Sequence, residues 1–136
     1  MTPRRFDWWR PYLGIPVVWR GGSLETGLDC YDLVERVLPA EFGQPVDLVP
    51  AFSRDELRAR IEAAKEIEVR RKLWRAVPWQ EGAVCLWKIR GRPIHVGICL
   101  KTADFLHADW DSGVVQVSGA GESRWSNRFE GCYLPR

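Results

Sequence analysis

The chain has 136 residues, of which 46% are hydrophobic and 28% charged, and a formal net charge of +2. That length suits one compact domain, residues 1–136, able to bury a core without disulfide staples. Near-balanced charge excludes the strong field of a nucleic-acid-binding surface, and no apolar run approaches the roughly 20 residues of a membrane-inserted helix.

Residues 1–22 read as an irregular or partly helical lead, tryptophan-rich through Trp8 and Trp9 and closed by a Gly21-Gly22 turn. Its opening, MTPRRFDWWRP, lacks the apolar segment of a secretory signal peptide, so synthesis is expected in the cytoplasm, with delivery by something else. A short helix is predicted next, from Asp29 or Cys30 to Leu38, because Leu33, Val34, Val37 and Leu38 recur at helical spacing and Pro39 marks an end. Gly43, Pro45 and Pro50 make residues 39–52 a loop. The second helix is predicted from Ser53, with Glu56 completing a capping box. Glu56–Arg60, Glu66–Arg70 and Glu68–Lys72 fall at i,i+4, and Arg70, Arg71, Lys72 and Arg75 suit the carboxyl end of the dipole. Its thin apolar stripe is Leu57, Ile61, Ala64 and Leu73.

After Pro78 the hydrophobic period changes from helical to alternating. AVCLWKI (83–89), IHVGICL (94–100), DFLHAD (104–109) and GVVQVS (113–118) read as strands, and GCYLPR supplies a last short one. Helices first and a meander of strands second predict an α+β fold, with amino-terminal helices packed on a carboxy-terminal antiparallel sheet.

Chemistry concentrates in three residues. His95 and His107, the two histidines of the chain, each lie inside a predicted strand. Alternation puts His95, Gly97 and Cys99 on one face, opposite Val96, Ile98 and Leu100, while Phe105, His107 and Asp109 share a face of the next strand. A hairpin between these strands brings both imidazoles together, with Gly97 leaving space beside His95. Cys30, at the start of the first helix and packed against that face, would gain thiolate character from the helix dipole and an imidazolium. An imidazole base and a third orienting group then complete nucleophilic catalysis, with first-turn N–H groups around Asp29 and Tyr31 available to an oxyanion. The sulfur is expected to meet the His95 ring across a groove open to water. The four cysteines, Cys30, Cys85, Cys99 and Cys132, show no CxxC spacing and are expected as reduced thiols. A zinc module from His95, Cys99, His107 and one more cysteine is disfavoured: His95 and Cys99 stand about 13 Å apart along a strand, a gap that ligands at about 2.0–2.3 Å can hardly span.

GIPVVWRGGSLETGLDCYDLVERVLPAEFG, followed by EGAVCLW, IHVGICL and FLHAD, resembles the NlpC-type cysteine peptidases, and more closely the versions carried by tailed bacteriophages and prophages. The resemblance implies a papain-like fold, Cys30 as nucleophile, His95 as general base and His107 as the orienting third member. It also implies cleavage of amide bonds in peptidoglycan stem peptides, with no metal or organic cofactor. A phage tail component would sit in the virion tail beside other tail-tip proteins and open the cell wall locally. The alternative is a structural tail-tip or assembly subunit on the same fold. The chain departs from the family pattern at Asp32, where glycine is common, at Val17, where an aromatic residue is usual, and at Ala83, where the pattern has an acid.

Overall fold

The computed structural model describes residues 6–46, 48, 56–88 and 95–135. A 3-10 turn, Arg10–Tyr12, leads into helices α1 (Cys30–Phe42) and α2 (Glu56–Arg70). Six strands follow: β1 (Arg75–Val77), β2 (Val84–Trp87), β3 (His95–Cys99), β4 (Asp104–Asp109), β5 (Val114–Gly119) and β6 (Phe129–Leu134). They form one sheet in the order β1-β6-β2-β3-β4-β5, antiparallel at every pairing. The α+β arrangement expected from the sequence is the one observed.

α1 begins where predicted but outruns its proline. Pro39 lies inside the helix, which ends at Gly43 in the left-handed conformation (φ 65°). Packing overrides the local signal: Phe42 meets Trp8 edge-on at 5.1 Å and covers Gly82, where a Cβ would come within 2.7 Å of the ring. Holding Phe42 there outweighs the hydrogen bond that Pro39 cannot make. Trp8 is therefore core cover, only 4% exposed.

The predicted Ser53 cap lies outside the described residues, and so do the side chains of Glu56 and Leu57. The buried stripe of α2 is Ala59, Ala63 and Ile67 at i,i+4, whereas Ile61 and Leu73 are exposed. The thin predicted stripe chose the bulkier residues; alanines win because they let the helix backbone lie close. Glu66 pairs with Arg70 at 2.8 Å as expected, whereas Glu68 pairs with Arg71 at 2.9 Å instead of with Lys72. Arg75 belongs to β1, a three-residue edge strand on β6 that alternation over so short a run does not reveal.

The sheet buries both faces, each for a different reason. Leu33, Val34, Val37 and Leu38 of α1 pack on Val96, Ile98, Leu106 and their neighbours. The opposite face carries Trp87, Phe105 and Trp125, with Cys85, Cys99 and Cys132 among them. All four cysteines are free thiols. Gly97 serves this second layer: a Cβ would lie 2.9 Å from the Phe105 ring and 3.0 Å from the Leu106 carbonyl oxygen. The space expected beside His95 is thus filled by Phe105.

Candidate active site

Cys30 opens α1 behind a complete capping box. Asp29 accepts the Asp32 backbone N–H at 2.7 Å, and Asp32 accepts the Asp29 N–H at 3.2 Å. Arg20 seals the pair from outside. Its backbone N–H donates to Asp29 at 2.6 Å, and its guanidinium lies 3.0 Å from Asp32 and 3.2 Å from Glu35. Arg20 adopts φ 47°, a left-handed geometry that brings both its N–H and its guanidinium onto the two acids. Asp32 thus occupies the family's glycine position as a cap. Asp29 and Tyr31, expected beside an oxyanion, have side chains turned to structure: Asp29 to the cap, Tyr31 edge-on to Trp19 at 6.1 Å.

The two histidines sit on the sheet face opposite α1. His95 Nε2 lies 2.8 Å from His107 Nδ1, and His107 Nε2 lies 2.8 Å from Ser118 Oγ. Trp125 covers both, stacked on His95 at 5.4 Å and edge-on to His107 at 5.2 Å. The expectation that α1 packs against the histidine face is therefore corrected: α1 packs on the face of Val96 and Ile98.

Cys30 comes up to β3 where the β3–β4 ladder ends. β3 pairs with β4 at Ile98↔Leu106 and Cys99↔Phe105, while β4 stays on β5 as far as Asp109↔Val114. Leu100 donates its N–H to Asp104 across the β3–β4 side, so the even residues of β3 point their N–H groups toward β4. Beyond Ile98 the next such donor is Val96, whose N–H is near enough to the Cys30 sulfur to favour its thiolate. A thiol arriving from one face thus comes near the backbone donor adjacent to His95, which belongs to the other face.

The electrostatics are those of a neutral resting pair. Burial pushes the Cys30 thiol well up, the neighbouring Asp29 carboxylate adds to this and Asp32 adds less, while the Val96 N–H opposes it. Burial also holds His95 well below the usual imidazole range, reinforced by His107, and lowers His107 to about 4. The thiolate expected from the dipole is not the resting state; a nucleophile forms by transfer of the thiol proton to a neutral imidazole. Asp109 is held down at about 2 because hydrogen bonds, foremost from Arg124, outweigh its desolvation. Arg124 grips it through two nitrogens, at 2.9 and 2.5 Å.

The open groove is also corrected. Cys30 is 3% exposed, His95 2% and His107 0%. A crevice of about 20 Å³, room for one water molecule, reaches His95 between Trp110, Trp125, Arg124 and Arg128. Arg60 of α2 spans the two sides, its guanidinium carbon 4.0 Å from the Trp110 ring centre and 5.4 Å from that of Trp19. Ser118, Trp125 and Arg124 escaped the sequence reading. Only Ser118 left a trace there, as an even-numbered polar residue on the same strand face as Gln116, opposite His107. Ala83 is fully buried in the apolar layer, and Val17 lies in an isolated bridge with Leu28. Among the described residues no group of three or more histidines, cysteines or acids is placed to hold a metal ion.

Helices on an antiparallel sheet, with the cysteine leading a helix and the histidines on strands, define an α+β protein of papain-like architecture. The chain belongs to the NlpC/P60 family, whose pattern matches residues 14–133. It is 25% identical over 109 residues to the murein DD-endopeptidase MepS/murein LD-carboxypeptidase of Escherichia coli K12, covering 80% of this chain. It spans about half the length of the curated relatives it matches, 50% of that protein. Among solved structures, the NlpC/p60 domain of the peptidoglycan hydrolase SagA superposes with TM-score 0.58 at 19% identity, covering 92% of this chain and 91% of that one. An NlpC/P60 family protein of Bacillus cereus gives TM-score 0.64 at 19% identity, covering 99% of this chain and 42% of that one.

Proposed function

We propose that the chain is a cysteine peptidase acting on peptidoglycan stem peptides, with Cys30 as nucleophile, His95 as base and His107 orienting it. The observation that carries this reading is the His95 Nε2···His107 Nδ1 pair at 2.8 Å, next in the chain to Val96, whose N–H favours the thiolate of Cys30 at the start of α1. The free ring nitrogen of His95, Nδ1, takes the thiol proton; the sulfur attacks the amide carbon; the imidazolium returns the proton to the leaving amine, and water releases the acyl group. Val96 and first-turn N–H groups stabilise the oxyanion. The similarity to murein endopeptidases supports the substrate class. Service in a bacteriophage tail, beside other tail-tip proteins and in contact with the cell wall, is the setting we attach to this reading on the strength of the motif resemblance.

Digestion of defined muropeptides followed by mass spectrometry tests it. Wild type is expected to release new stem-peptide fragments, and Cys30→Ala to lower the rate by at least about a thousandfold. Equal cleavage by Cys30→Ala overturns the assignment. The burial of Cys30 favours a second reading, a structural tail subunit on the same fold. Absence of cleavage by wild type, with particles failing to assemble when the protein is deleted, selects that reading.

A further inference from the structure

The polar line on the histidine face does not end at His107. Ser118 Oγ stands 2.8 Å from His107 Nε2, and His107 Nδ1 stands 2.8 Å from His95 Nε2. Ser118 is 7% exposed, so all three groups are shut away from bulk water. A neutral imidazole carries one N–H and one lone pair. Two such rings in line with one hydroxyl, which can donate or accept, therefore have two consistent proton arrangements.

In the first, His95 Nε2–H donates to His107 Nδ1, His107 Nε2–H donates to Ser118 Oγ, and His95 Nδ1 is a bare lone pair. In the second every proton is reversed. Ser118 O–H donates to His107 Nε2, His107 Nδ1–H donates to His95 Nε2, and His95 Nδ1 carries a hydrogen and cannot act as a base. Only the first arrangement accepts the thiol proton. It also suits the product, because an imidazolium at His95 donates from both nitrogens and needs a lone pair on His107 Nδ1.

We propose that Ser118 is a positioning residue that accepts the His107 Nε2–H and thereby holds the histidine pair in the base-competent tautomer. The proposal rests on the reading of Cys30 and His95 as a thiol–base pair. Gln116, directly opposite His107 on β5, does not compete for the ring, because its amide donates to Asp109. Burial keeps both imidazoles neutral at pH 7, where the tautomer rather than the charge decides competence. The proton balance is local: S–H breaks, Nδ1–H forms on His95, and His107 and Ser118 keep their own protons.

Long-range ¹H–¹⁵N spectra of the labelled protein at pH 7 read each ring's tautomer without any substrate, and muropeptide turnover is measured in parallel. Wild type is expected to show Nε2–H on both histidines. Ser118→Ala is expected to move His107 toward Nδ1–H and to lower kcat about tenfold with KM unchanged. Ser118→Thr keeps the hydroxyl and is expected to restore both readouts. Nδ1–H on His107 in wild type, which requires no variant to fold, overturns the proposal, as does Ser118→Ala with unchanged tautomers. A wild type with the expected tautomers that cleaves nothing supports the hold of Ser118 on His107 and overturns the peptidase reading instead.

Discussion

Buried ionisable residues make the stability of this protein depend on pH. His107 drops to about 4 and His95 falls well below the ordinary imidazole value, so below about pH 6.5 the unfolded chain binds protons that the folded chain refuses. Stability is fully present above that pH and is lost as pH falls toward 4. Asp29 acts in the opposite sense: burial and the Asp32 charge raise it to about 6, so the folded chain gains its proton first and is stabilised between about 6 and the ordinary carboxylate range. Two histidines oppose one carboxyl, and the net expectation is a melting temperature that declines between pH 6.5 and 4. Thermal melts across that range check it. His107→Gln, which cannot charge, is expected to flatten the decline, and Asp29→Asn to steepen it.

The helices decide access to the site. Removing the Asp29 cap by Asp29→Ala is expected to cost about 1–2 kcal/mol in denaturant titrations, because the Asp32 N–H and the Arg20 N–H both lose their acceptor. Arg60 of α2 stacks its guanidinium between Trp19, which meets Tyr31 edge-on, and Trp110, which lines the crevice at His95. Arg60→Ala is expected to raise the alkylation rate of Cys30 severalfold, read by peptide mapping so that the three other thiols are counted separately. An unchanged rate would show that the clasp does not limit access. The carboxyl end of α1 shows the limit of local signals: Pro39 reads as a terminator, yet the helix runs on to Phe42 because an aromatic contact with Trp8 holds that turn in place.

Across the described residues, the sheet matters less as a platform than as a partition between two buried layers. Helix packing and histidine burial occupy opposite faces, and the end of the β3–β4 pairing at Ile98 is where the thiol reaches the donor next to His95. Close packing of β3 on the paired part of β4 depends on Gly97. Gly97→Ala, which drives a Cβ against Phe105 and the Leu106 carbonyl, is expected to destabilise the fold by about 1–3 kcal/mol. A change in the denaturation midpoint at constant slope would confirm it.

The amino-acid sequence alone was enough for the α+β order, for five of the strands described here, for the start of α1 and for the two histidines on one face of neighbouring strands, since each follows from periodicity or capping within a few residues. Tertiary structure alone decided the rest. It placed α1 on the other face of the sheet, put alanines inward on α2, closed Trp125 over the histidines, and set Ser118 within reach of His107. Apart from Ser118 and His107, which lie on successive strands, those outcomes join residues far apart in the chain through contact and burial, and spacing along a sequence carries no record of which distant surfaces will meet.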